Sequence, residues 1–357
     1  MGLDSRYLIS MSFEGSNSLI SAEQITPSVL DNILDKTNQL TNRANREVAV
    51  SELRETYDGD LAGIALTFEP SSRTRLSFIR AAASLDFPMV NEPNPKESMS
   101  LQKGESLADT FITLNQLGYN IIVFRSDTVG HAAEAAAVSE VPVINAGDGD
   151  GQHPTQSITD AKTIKDDFGS FEGLTIAHIG DPWNSRTVHS QIDILRPYGV
   201  KHIFSAAKKL RHGNDEYKQE LADNGIRFEE VDDIKEAVQL ANVVDISRFQ
   251  KARQKRRPKE KVSDFEARIA RIGASYMECT ELTPEVMQVV QADPDKILLH
   301  PWPRNHEIPL SVTHHEQGRW KQQMENGVLT RRAILYLALS SKLFEAEVEV
   351  VQHEQPA

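Results

Sequence analysis

The chain is built around short apolar runs of strand length, IALTF, YNIIVF, VPVINA, LTIAHIG, KHIFSA, RFEEV and ANVVDIS, separated by stretches with helical spacing such as LSFIRAAASL and HAAEAAAVS. Strands that alternate with helices need crossover connections, and crossovers make parallel sheets. So many strands exceed one α/β unit. The expected fold is therefore α/β, with two doubly wound domains built on mainly parallel sheets. The first domain is expected to end with the helix that starts near HPTQSITDAKTIKDD and breaks at Phe168-Gly169. That gives 1–168 and 169–324, with an apolar helix, RRAILYLALSSKLFEAEVE within about 325–357, packing back to complete the first domain.

A chain of 357 residues has ample material for two cores. Acidic side chains outnumber basic ones by 52 to 39, for a formal charge of -13. A general nucleic-acid partner is disfavoured, because backbone phosphates call for a basic surface. The lone Cys279 allows no intrachain disulfide and no cysteine-built zinc site. The opening MGLDSRYLISMSFEG lacks an apolar core behind a basic stretch, and no run of eighteen apolar residues occurs, so no membrane partner is expected and the location is read as cytoplasmic.

The stretch FEPSSRTRLSF, residues 68–78, falls where a strand hands over to a helix. There the first helical amides lack partners and the positive end of the helix dipole points outward. Ser71, Ser72 and Thr74 bring hydroxyls, and Arg73 and Arg75 bring charge that matches phosphate. An ordinary serine cap with two solvated arginines is the competing reading.

Other familiar phosphate or hydrolase signatures are missing: the sequence has no GxxxxGK[ST], no GxGxxG after a strand, no HExxH and no GxSxG. The isolated histidines around 300–315 suggest no metal site. Polar groups do collect at strand ends. Arg125 follows NIIVF, where open α/β sheets gather ligands, and a salt-bridged surface arginine is the alternative there. His153 precedes a proline at a helix start, followed at helical spacing by Gln156 and Asp160. AHIGDPWNSRTVHS delivers Arg186, VVDISRFQKAR delivers Arg248 and Gln250, and LLHPWPRNHEI ends a strand in a proline-bracketed turn whose carbonyls are available to a ligand amide. The first half thus offers groups for a phosphate and a carbonyl, and the second offers arginines for carboxylates. A cleft between domains that joins two anionic substrates is the expectation. The basic stretch KARQKRRPKEKV, 251–262, reads as a solvated loop, with a polyanion contact or mobile substrate loop as the functional alternative.

Five motifs in order give the chain a resemblance to the catalytic chains of the aspartate carbamoyltransferases, over roughly Ser18 to Leu339. Ser71-Ser72-Arg73-Thr74-Arg75 resembles the family's S-T-R-T-R signature, KGESLADT its lysine loop with Lys103, and His153-Pro154-Thr155-Gln156 its HPTQ. Arg248-Phe249-Gln250 is similar to R-x-Q, and His300-Pro301-Trp302-Pro303-Arg304 to HPLPR. The resemblance implies carbamoyl transfer from carbamoyl phosphate to the α-amino group of L-aspartate, a step of pyrimidine synthesis, with no cofactor and no metal. It implies that Ser71, Ser72, Arg73, Thr74 and Arg125 hold the phosphate, and that Thr74, Arg125 and His153 donate to the carbonyl oxygen. Gln156 and the carbonyls of Trp302 and Pro303 would hold the carbamoyl NH2, and Lys103, Arg186, Arg248 and Gln250 the aspartate. It further implies a homotrimer with shared sites, Lys103 reaching in from a neighbour, and leaves room for a regulatory chain.

Two departures bear on specificity. Trp302 stands where the family usually has leucine, and Met99 stands four residues before Lys103 where a serine is usual, with Ser98 and Ser100 on either side. An inward indole would narrow the acceptor pocket; a shifted loop would let Ser100 serve. A carbamoyltransferase for another amino acid such as ornithine is one alternative, disfavoured by Arg248 and Gln250. A non-catalytic paralogue acting as a binding subunit is the other.

Overall fold

The computed structural model describes residues 13–210, 214–254, 256 and 259–345. It divides into two compact units, one up to Lys162 and again from Met324, the other Thr163–Gln323. In the first unit β1 (Gly63–Thr67), β2 (Met89–Glu92), β3 (Ile121–Ser126) and β4 (Val143–Asp148) form a sheet in the order β2-β1-β3-β4. In the second, β5 (Thr175–Gly180), β6 (Lys201–Ala206), β7 (Arg227–Glu230), β8 (Val243–Ile246) and β9 (Ile297–Leu299) take the order β7-β6-β5-β8-β9. Every strand pair is parallel. In both sheets the winding reverses, between β1 and β3 in one and between β5 and β8 in the other. Such reversal points open a crevice at the carboxyl ends of the strands.

The inner strands β1, β3 and β8 are buried throughout, as is β4 at the end of its sheet, which is why they appear in the sequence as mainly apolar runs. Edge strand β2 was not legible there. Its four residues, MVNE, are short, partly polar and none is fully buried. The helix expected from 154 spans Pro154–Phe168, and Gly169, at φ +72, closes it with its amide on the Lys165 carbonyl at 2.9 Å.

The closing helix differs from expectation. It spans Trp320–Leu339 and does not continue through SSKLFE: Ser341 turns to φ +58 and the Lys342 amide bonds back to the Leu337 carbonyl at 2.8 Å. Positions 346–357 lie outside the described residues. Within the first unit this helix is anchored by Arg332, whose guanidinium donates to the Leu40 carbonyl at 2.9 Å and to Ser84 Oγ at 2.6 Å, and by a Tyr336 hydroxyl bond to Glu52. Among the described residues no helix is long and apolar enough to cross a membrane. Of the basic stretch 251–262, Lys255, Arg257 and Pro258 lie outside the described residues. Within the stretch, Glu260 is held by Arg268 in a two-point contact at 2.8 and 3.0 Å.

In the second unit the ends of β5 and β8 pass so close that a side chain at Gly180, φ +112, would put its Cβ 2.1 Å from the Ser247 carbonyl oxygen. Deeper in the same sheet, His178 Nε2 lies 3.0 Å from His202 Nδ1, and His178 Nδ1 lies 3.4 Å from Asp245 Oδ2. Burial drives His178 down to about 3 and His202 well below the usual imidazole range, and pushes Asp245 up to about 7.

Two outcomes follow from these features. Gly180→Ala is expected to lower stability by at least about 2 kcal/mol in chemical denaturation, whereas Gly169→Ala, also at positive φ but with nothing near its Cβ, should cost only about 1 kcal/mol. Near pH 5 the unfolded chain protonates both histidines and ionises Asp245, while the folded unit does the reverse. Unfolding then takes up one net proton from this cluster, so stability falls as pH falls. His202→Phe should flatten the acid limb of a melting-temperature profile by about one proton, or about 1.4 kcal/mol per pH unit; an unchanged slope would contradict the assignment.

Candidate active site

At the carboxyl end of β1 the chain turns through Glu69, Pro70 and Ser71 into the helix Ser72–Ser84. Ser71 is the N-cap residue, yet its side chain makes no capping bond, so the ordinary-cap reading does not hold. Ser72 and Arg73 are exposed, and Thr74 is buried in the first turn. Arg125 stands at the end of β3, opposite an irregularity where Phe124 pairs with Asn145 but Ser126 with Asp148. A strand irregularity of this kind re-aims a side chain. Arg125 is only 8% exposed, so it is not the surface arginine of the alternative reading. Its Nε donates to the Glu69 carbonyl at 3.1 Å, its Nη2 pairs with Glu69 Oε1 at 3.0 Å, and its Nη1 donates to the Ala146 carbonyl at 2.9 Å. The same Nη1 lies 3.5 Å from His153 Nε2, and His153 is itself buried. Arg125 and His153 are thus brought together at the reversal point of the first sheet.

Gln156 sits one turn into the helix Pro154–Phe168 and donates from Nε2 to Asp160 Oδ1 at 2.9 Å. That contact fixes the amide with its NH2 toward the carboxylate and its oxygen on the other side. Lys103 is exposed at the end of a short 3-10 turn and has no hydrogen bond or ion pair among the described residues. Met99 packs on the apolar core of the first unit. Ser98 Oγ is engaged by Glu92 at 2.7 Å, and Ser100 is exposed.

In the second unit the reversal point is organised by Asp181, fully buried one residue beyond Gly180. Its amide donates to Ser247 Oγ at 3.0 Å, and its carboxylate accepts from the Gln250 amide at 3.0 Å and from Asn184 Nδ2 at 2.7 Å. Burial raises its pKa, with the Asn184 and Gln250 bonds working against that rise. Arg248 is exposed and makes no side-chain hydrogen bond or ion pair among the described residues, while Phe249 packs inward on an apolar cluster that includes Tyr276. Arg186 opens the helix Arg186–Leu195 and is 3% exposed.

After β9 comes the loop His300–Glu307. Trp302 has φ +52, which costs a non-glycine residue about 1–3 kcal/mol, and a cis peptide bond joins it to Pro303. Its amide donates to His300 Nδ1 at 2.8 Å. The indole packs against the apolar core of the second unit, so the departure from leucine is absorbed by that core. Pro303 is exposed.

Glu69, Asp181 and Glu307 were not singled out in the sequence. The available signals were an acid inside the phosphate-like cluster, an acid directly after a strand-ending glycine, and an acid closing the proline-bracketed turn.

Comparison with known proteins identifies the family. Residues 17–166 match the family model for the aspartate/ornithine carbamoyltransferase carbamoyl-P binding domain, and 172–338 that for the Asp/Orn binding domain. The chloroplastic aspartate carbamoyltransferase of Arabidopsis thaliana is 33% identical over 90% of this chain and 78% of its own length. The catalytic subunit from Thermococcus gammatolerans is 36% identical over 77% of this chain and 83% of its own. Among solved structures, the M. jannaschii aspartate transcarbamoylase catalytic subunit superposes with a TM-score of 0.72 at 30% identity, covering 91% of this chain and 98% of that one. The Trypanosoma cruzi enzyme in complex with N-(phosphonacetyl)-L-aspartic acid gives 0.70 at 29% identity, covering 93% and 99%. The chain belongs to the aspartate/ornithine carbamoyltransferase family.

Proposed function

We propose that this chain transfers the carbamoyl group of carbamoyl phosphate to the α-amino group of L-aspartate, releasing N-carbamoyl-L-aspartate and phosphate. The observation that carries the reading is the first unit's strand-end cluster. An uncommitted N-cap serine and the first turn of a helix lie two residues beyond Glu69, which holds the buried Arg125 beside His153. Trypanosoma cruzi relatives have been solved with carbamoyl phosphate alone and with carbamoyl phosphate and aspartate, which supports the same substrates here.

Ser71, Ser72, Arg73, Thr74 and Arg125 hold the phosphate in this reading, by hydroxyls, guanidinium groups and helix amides. Thr74, Arg125 and His153 donate to the carbamoyl oxygen, where negative charge grows as the amine attacks. The Gln156 oxygen, left outward by the Asp160 contact, accepts from the carbamoyl NH2 together with the carbonyls of Trp302 and Pro303. Arg186, Arg248 and Gln250 orient the two carboxylates of aspartate. The amine nitrogen bonds to the carbonyl carbon, the carbon–oxygen bond to phosphate breaks, and the leaving phosphate takes the amine proton. Positioning and electrostatics suffice, with no covalent intermediate on the protein. The domain limits 1–168 and 169–324, a cytoplasmic homotrimer and Lys103 acting from a neighbouring copy belong to the same reading.

Purified protein should release phosphate from carbamoyl phosphate when aspartate is added, with carbamoyl aspartate identified by mass. Release with ornithine but not aspartate would overturn the acceptor assignment. Arg248→Ala should raise the aspartate KM roughly 10- to 100-fold while the carbamoyl phosphate KM changes less than about threefold, and Arg73→Ala should do the opposite.

A further inference from the structure

The loop that follows β9 is organised by a carboxylate that the reaction does not use. Glu307 is fully buried. Its Oε1 lies 3.2 Å from His300 Nε2 and accepts from the Asn305 amide at 2.7 Å, and its backbone carbonyl accepts from Leu282 at 3.0 Å. On the far side of the imidazole, His300 Nδ1 accepts from the Trp302 amide. A nitrogen that accepts a hydrogen bond carries no proton, so in this tautomer the proton is on Nε2 and faces Glu307. The His300 amide is in turn tied to Gln323 Oε1 at 2.9 Å. Burial would raise the Glu307 pKa, yet the bonds from His300 and Asn305 bring it below the ordinary carboxylate value, so the acceptor is ionised at neutral pH.

We propose that Glu307 and His300 form a positioning relay. Glu307 selects the imidazole tautomer, the bare Nδ1 holds the Trp302 amide, and that bond keeps Trp302 at positive φ with its carbonyl and that of Pro303 set for the carbamoyl NH2. The proposal rests on the carbamoyl-transfer reading above and adds two residues to it. Neither touches substrate. Their effect is on the direction of two carbonyls, and an error of an ångström in such an acceptor is enough to slow a positioned reaction by about 100-fold.

Asparagine and glutamine separate the roles of the two ring nitrogens. The Oδ1 of His300→Asn can take the place of Nδ1 and accept from Trp302. The longer amide of His300→Gln instead falls near Nε2. Under the relay, His300→Asn should keep kcat within about tenfold of the unaltered protein, while His300→Gln and Glu307→Leu should lose roughly 10- to 100-fold. The inhibition constant of inorganic phosphate, which in this reading reports on the first unit's groups, should stay within about threefold in all of them. Equal kcat for His300→Asn and His300→Gln would overturn the relay. So would losses that track a fall in melting temperature across the variants, since these would make the pair a folding element only. Absence of aspartate-dependent turnover in the unaltered protein would instead overturn the functional reading, and the relay with it.

Discussion

A guanidinium cannot be buried unless its donors are taken up, and the first unit depends on how that requirement is met at Arg125. Desolvating the group costs several kcal/mol, and removing one partner leaves the charge exposed to that cost. Glu69 from the end of β1 and the Ala146 carbonyl of β4 meet it from two sides, with His153 against the same nitrogen. The three connections therefore have to close around one side chain. The strand-end residues cannot wander independently.

The second unit meets a comparable problem with the opposite charge. Asp181 is a buried carboxylate at the end of β5, and what satisfies it is backbone: the Gln250 amide, together with the side-chain amide of Asn184. The segment carrying Arg248 and Gln250 is thereby fixed to the strand end before any ligand is considered. In both units, then, buried carboxylates and backbone groups set the geometry of the strand-end segments.

Much of this was legible in the residues. Central strands were visible because burial on both faces writes them as continuous apolar runs, and the helix from Pro154 because proline and glycine mark its two ends. Edge strand β2 was not, because it is short, partly exposed and shares its composition with loops. The end of the last helix was misread because the apolar pattern of RRAILYLALSS runs on into KLFE, and only the left-handed Ser341 shows that the helix has stopped. Within the site, Arg125, His153, Arg186 and Arg248 could be placed at strand ends and helix starts from the sequence alone. Glu69, Asp181 and Glu307 could not, since a carboxylate that organises backbone amides or a buried cation looks in the sequence like any surface acid. The orientation of the Trp302 ring was likewise out of reach, because it depends on packing against an apolar cluster most of whose members are distant in sequence.

The first unit is discontinuous: its sheet is finished by Asp148, yet the helix that anchors to Leu40, Ser84 and Glu52 begins at Trp320. A ribosome must therefore make the whole of the intervening unit before the first one can be sealed. The early sheet would spend that interval with the surface meant for the last helix uncovered, and chains cut short anywhere in the second unit would release it in that state. Quality control in the cell would meet such fragments as exposed apolar surface, a handle for chaperones and proteases that is withdrawn only once the helix Trp320–Leu339 has been made.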